Sequence, residues 1–287
     1  MLSGLDGLGL GNLGGLEIFE EHEKEIKPRH EKKEATPVEY TEEDLIFDKH
    51  YTCTVCDRNF VAKMVRAGRA RSLGSDMDLR PRYEGIDALK YDIVACPYCG
   101  YAAMIKNFPY LTSGQKKAVR DNICASYKAK KQDPNQTVYS YEEAIERHKL
   151  ALVNAIVKYG KDSEKAYICL KTGWLLRGQT ETFDKSANNY LWKKYENDKA
   201  EKQFLRNAYD GFLKARSAEP FPICGMDMLT VDYLLAALAL ELEEYETAGQ
   251  MLSGIITSRD ANTRIKEKAR DLRDVLKEKL DAQHSEA

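Results

Sequence analysis

The sequence predicts a mainly α protein in which a small β-rich, metal-stapled module precedes an array of helical hairpins. Three observations predict it. Two CxxC pairs, Cys53/Cys56 and Cys96/Cys99, lie forty residues apart. From about residue 115 to residue 282 the apolar residues recur with a 3.6-residue period. Three of the helices so predicted share one small–large–small spacing.

The chain has 287 residues, 31% of them charged and 43% hydrophobic, with a formal net charge of −2. That length holds one large or two modest cores. The charge balance excludes the strongly basic composition of a dedicated nucleic-acid binder. No apolar run approaches the roughly 20 residues that a membrane-spanning helix needs. The leucine-rich start lacks a basic region and is broken by glycines, so it does not read as a signal peptide. The chain is therefore expected in the cytoplasm, where thiols stay reduced and a four-cysteine set means metal before disulfide.

Residues 1–49 read as a Gly/Leu-rich tail followed by a charged linker. Gly4, Gly7, Gly9, Gly11, Gly14 and Gly15 alternate with Leu2, Leu5, Leu8, Leu10, Leu13 and Leu16. Glycine at that density disfavours helix and strand through backbone entropy. The segment is either a flexible tail or a docking peptide that orders on a partner or on another copy of the chain. The linker that follows is charged nearly throughout, and its His22 and His30 are expected in solvent.

Residues 50–110 form the cysteine module. Two CxxC knuckles supplying four thiolates suit the tetrahedral preference of Zn²⁺, and β-prone residues precede both pairs. Gly100, directly after Cys99, suits the left-handed turn in which a knuckle ends. The pattern is that of a zinc ribbon, with Cys53, Cys56, Cys96 and Cys99 holding one structural Zn²⁺ per chain. A shell closed by four sulfurs has no open position for substrate or water. His50 lies near Cys53 but beside a complete set. "CPYC" also occurs in thiol-redox sites, yet it lacks the strand–helix context such sites use.

Between the knuckles, residues 58–82 carry seven Lys or Arg against two Asp. Lys63, Arg66, Arg69, Arg71, Arg80 and Arg82 form a candidate patch for nucleic-acid phosphate or for a partner. The other reading pairs these cations with acidic segments of the same chain.

Residues 111–282 are all helical, and 283–287 are a short tail. Ala144, His148 and Ala151 share their spacing with Ala208, Phe212 and Ala215, and with Ala248, Leu252 and Ile255. Small residues flanking a bulky one let a helix approach its partner closely, as in the second helix of a tetratricopeptide hairpin. "VDYLLAALALEL" is apolar nearly all round, which places that helix between neighbours. The copies are 64 and 40 residues apart rather than uniformly spaced, so an irregular bundle is the alternative to tetratricopeptide-like stacked hairpins. Cys124 and Cys169 fall in helical rhythm as small core residues, and His148 as a packed one. Cys224, ahead of a helix start, is a candidate reactive thiol. No phosphate loop, nucleophile elbow or HExxH motif is present, so no catalyst is expected.

"YTCTVCDRNF", "DMDLRPRYEGIDALKYDIVACPYCGYAA" and the helices behind them resemble an uncharacterised family from Firmicutes. That resemblance spans roughly 45–280. It implies an N-terminal four-cysteine zinc ribbon with an insert between its knuckles, joined to a tetratricopeptide-like helical region. It implies no substrate. The function expected is a non-enzymatic zinc-binding adaptor whose helices, and whose N-terminal tail, engage a protein partner or a second copy. Nucleic-acid binding through the basic insert is the alternative, and a thiol enzyme the third.

Overall fold

The computed structural model describes residues 40–131 and 135–286. The Gly/Leu-rich tail, His22, His30 and the charged linker up to residue 39 lie outside the described residues. Tyr40–Ala287 is one compact unit.

Three two-stranded antiparallel sheets come first. β1 (Ile46–Thr52) pairs with β2 (Asn59–Val65), β3 (Ser72–Ser75) with β4 (Pro81–Tyr83), and β5 (Ile93–Ala95) with β6 (Ala102–Met104). The first strand begins before residue 50, where Leu45 and Ile46, at the end of the charged stretch, are buried. On one face of the first hairpin Tyr51 stacks on Phe60, and Phe108 packs edge-on to both.

The helices are α1 (Ser113–Val119), α2 (Tyr141–Val157), α3 (Asp162–Glu181), α4 (Tyr190–Ala218), α5 (Met228–Glu241), α6 (Tyr245–Thr257) and α7 (Thr263–Glu286). α1 starts at a capping box, with Thr112 and Gln115 bonding each other's backbone N–H. It runs directly into a π-helical turn, Arg120–Cys124. Ser140 and Asp227 cap α2 and α5 in the same side-chain-to-N3 manner. α7 runs through Glu286.

From α2 to α7 each helix packs on the next in chain order. The small–large–small residues of α2, α4 and α6 are all buried. At Gly211 a Cβ would stand 2.8 Å from the Cβ of Ala166, so a glycine there lets α4 lie against α3. Val231 and Tyr233–Leu240 of α5 are buried on every side, as all-round apolarity predicts. The segment 178–198, which interrupts the repeat spacing, lengthens α3 and α4 into a hairpin joined by residues 182–189.

The ribbon and the helices share a core: Ile93 and Ala102 of the second knuckle's strands pack with Ala151, Ala155 and Ile168 of α2 and α3.

Candidate metal centre

Both knuckles are built the same way. Cys53 N–H donates to the Arg58 carbonyl at 2.9 Å, and Asp57 N–H returns to the Cys53 carbonyl at 2.9 Å. In the second, Cys96 N–H donates to Tyr101 at 2.8 Å and Gly100 N–H to Cys96 at 3.1 Å. The residue after each second cysteine is left-handed, Asp57 at φ 59° and Gly100 at φ 74°. These tight turns aim both sulfurs of each pair the same way, and the strand pairs beneath hold the turns.

The two knuckles meet crosswise. Cys53 Sγ lies 3.6 Å from Cys99 Sγ, and Cys56 Sγ 3.7 Å from Cys96 Sγ. All four sulfurs fall within 4.8 Å of one another. A tetrahedron of about 2.3 Å metal–sulfur bonds has edges of about 3.8 Å, so the spacing fits a tetrahedrally bound ion. Cys53, Cys96 and Cys99 are buried and Cys56 is partly so. The Cys53 and Cys99 sulfurs hold the Cys96 thiol well below the ordinary thiol range, while Cys99 is pushed strongly up by Cys53 and Cys96. Crowded sulfurs ionise together only around a cation. The donor set therefore fits a soft or borderline metal ion, and no fifth protein ligand joins it among the described residues. His50 is exposed on β1, opposite Val61.

The α1 segment covers this centre. Arg120 donates from Nε and Nη2 to the Val55 carbonyl at 3.0 and 2.7 Å. The Tyr127 ring lies where a Cβ on Gly100 would stand, 2.4 Å from its Cδ2. Cys124 does not enter the helical core that its spacing suggests. The π turn carries it, half-buried, against the core of the ribbon, the cluster of buried residues that includes Cys53, Cys96 and Cys99. Sequence periodicity gave no signal for that placement, since an α-helical count rotates Cys124 elsewhere. Cys169 is buried among the helices, as expected.

The basic insert is largely neutralised within the chain. Arg80 is not part of an exposed patch: it is 2% exposed and ion-paired at 3.1 Å with both Asp87 and Glu181. Arg82 binds Asp76 at 2.8 Å and Glu181 at 2.7 Å. Those arginines, Arg82 first, hold the Glu181 carboxyl below its ordinary range. Lys63 pairs with Asp48 and Arg71 with Glu84. Arg66 and Arg69 lie over the rings of Phe47 and Tyr40. Buried Asp78 accepts from Trp174 Nε1 at 2.7 Å and from Arg177 Nη1 at 2.8 Å. The insert is thus a clasp between ribbon and helices.

Residues 46–276 match the family described as "Uncharacterized protein conserved in bacteria (DUF2225)". The chain belongs to this family. Neither a curated protein nor a solved structure matches it. Within this DUF2225 protein two further sequence candidates are placed. At Cys224 burial pushes the thiol up to about 11, and its Sγ donates to the Ser163 carbonyl at 3.4 Å. His148 is wholly buried, with Nδ1 donating to the Ala144 carbonyl at 2.8 Å and no partner for Nε2 among the described residues. No described helix is long and apolar enough to cross a membrane.

Proposed function

We propose that this chain is a non-enzymatic, cytoplasmic adaptor: a structural zinc ion staples the ribbon, and tetratricopeptide-like hairpins present a surface to a protein partner. The observation that carries the adaptor reading is the tip of the α3–α4 hairpin. Leu191, Trp192 and Tyr195 there are 78%, 65% and 62% exposed. Clustered exposed aromatics of this kind serve as anchors in protein interfaces. Zinc is the ion that four thiolates in a closed tetrahedron suit in a reduced compartment, and it holds structure without offering a reaction site. The nucleic-acid alternative draws on Arg66 and Arg69 alone among the six candidate patch residues, the other four being ion-paired within the chain.

A photo-crosslinking residue placed at Trp192 in the protein's own cells tests the reading. A defined protein adduct is expected there, absent when the crosslinker replaces exposed Tyr159 and lost on Leu191→Ser with Tyr195→Ser. Adducts that do not differ between the two positions would contradict it.

A further inference from the structure

The first hairpin leaves one of its two edges unpaired. On the outer edge of β2 the Lys63 N–H goes not to β1 but to Tyr139 Oη, at 3.0 Å. In an antiparallel ladder the residue opposite such an outward group points outward too, and every second residue repeats it. Lys63 stands opposite Asp48. Asp48, His50 and Thr52 therefore turn their backbone N–H and C=O groups to the free side of β1. Among the described residues no backbone group beyond the hairpin bonds them, and all three are exposed. Ile46, at the start of the strand, gives its N–H to the Glu43 carbonyl and keeps its own C=O free. Proline, a bulge or a very short strand usually blunts such an edge. β1 has none of these: it runs for 7 residues and pairs with β2 in continuous register.

Its side chains do not repel a second strand of the same kind. β1 reads "IFDKHYT", which is self-complementary about Lys49 in the antiparallel sense. Turned end for end, it sets Asp48 against the second copy's His50, Phe47 against its Tyr51 and Ile46 against its Thr52, and the symmetry repeats each pair. Carboxylate with imidazole, aromatic with aromatic and β-branched with β-branched are cross-strand pairs that stabilise sheets. Asp48 holds Lys63 at 2.9 Å, and a carboxylate has lone pairs left for a histidine N–H. Only Lys49 meets itself, and its Nζ is drawn aside, 5.2 Å over the Tyr51 ring. The hydrogen-bond phase agrees with this register, because Asp48 and the facing His50 are both outward residues and exchange N–H and C=O groups.

We propose that two copies of this chain associate through their β1 edges, antiparallel and centred on Lys49, so that two hairpins become one four-stranded sheet. The contact is isologous, as a two-fold dimer requires. It uses no residue of the α3–α4 tip, so each dimer presents two of those tips. One strand pair is a small contact beside standard interfaces, so the dimer should dissociate on dilution.

Sedimentation equilibrium of the full-length protein over a concentration series tests this, with a dimer expected at the upper end. Asp48→Lys, which sets a cation against His50, should leave a monomer. Exchanging the two residues, Asp48→His with His50→Asp, should restore the dimer. Lys49→Cys should form a reducible crosslink between copies, mapped on non-reduced peptides, since facing Cα atoms of a non-hydrogen-bonded pair stand about 4.5 Å apart. Thr52→Cys, placed opposite Ile46, should not crosslink to itself. If Asp48→Lys fails to fold, the two cysteine variants decide. A mass that stays monomeric throughout the series would overturn the inference. So would a dimer unchanged by Asp48→Lys, an exchanged variant that remains monomeric, or equal crosslinking at positions 49 and 52.

Discussion

The indole Nε1 of Trp174 donates to the Asp78 carboxylate across 96 residues of sequence, at 2.7 Å. Asp78 is 2% exposed and also accepts from Arg177, which in turn holds Glu201 at 2.7 Å. One carboxylate from the ribbon's insert thereby satisfies two donors on α3. Asp78→Ala should destabilise the protein by about 3 kcal/mol, the scale for stripping one partner from a buried charge pair. Thermal melting followed by tryptophan fluorescence checks it. An unchanged melting temperature would mean that the clasp carries no stability.

The shared core changes what loss of the metal should do. A ribbon that folded by itself would unfold alone in Cys96→Ser and leave the helices intact. Ile93 and Ala102 pack against α2 and α3, however, and the clasp ties the insert to α3. Cys96→Ser should therefore lower the melting temperature of the helical signal as well, in a single transition. Two separated transitions, with the helical one at its wild-type temperature, would show independent folding units.

The two knuckles predict opposite responses to matched substitutions. Gly100→Ala puts a Cβ 2.4 Å from the Tyr127 ring at φ 74°, and the left-handed strain alone costs about 1–2 kcal/mol. Asp57 already bears that strain at φ 59°, so Asp57→Gly should be neutral or slightly stabilising. Denaturant midpoints of the two variants give the comparison. Equal destabilisation would mean that the knuckles are not equivalent.

His148 sets a pH dependence. Burial pushes its imidazole down to about 4 from an ordinary value near 6.5. Between those values the unfolded chain binds a proton that the folded one refuses. Stability is therefore full above pH 6.5, falls as the pH drops towards 4, and flattens below it. The total loss is about 3 kcal/mol by linkage. Urea unfolding of wild type and His148→Leu over this range should show the variant's curve shallower by that step. Parallel curves would remove His148 as the cause.

The four-cysteine cluster was legible because CxxC is a local geometric statement: two sulfurs on one tight turn. The mainly α character was legible because the helical period persists over more than a hundred residues. The clasp was not. Asp78, Arg80 and Arg82 sit among loop-like residues, where charge reads as solvated, and their partners Trp174, Arg177 and Glu181 lie a hundred residues away on a helix. Only the alternative that paired the insert's cations within the chain anticipated it. Cys124 was hidden for a different reason. A π turn adds a residue to the helical count, and that addition turns its side chain from the expected helical core onto the core of the ribbon.

Elemental analysis of the freshly purified protein tests the central claim most directly. The account predicts one zinc per chain, lost in Cys53→Ser. Wild-type protein that is folded and contains no zinc would contradict it.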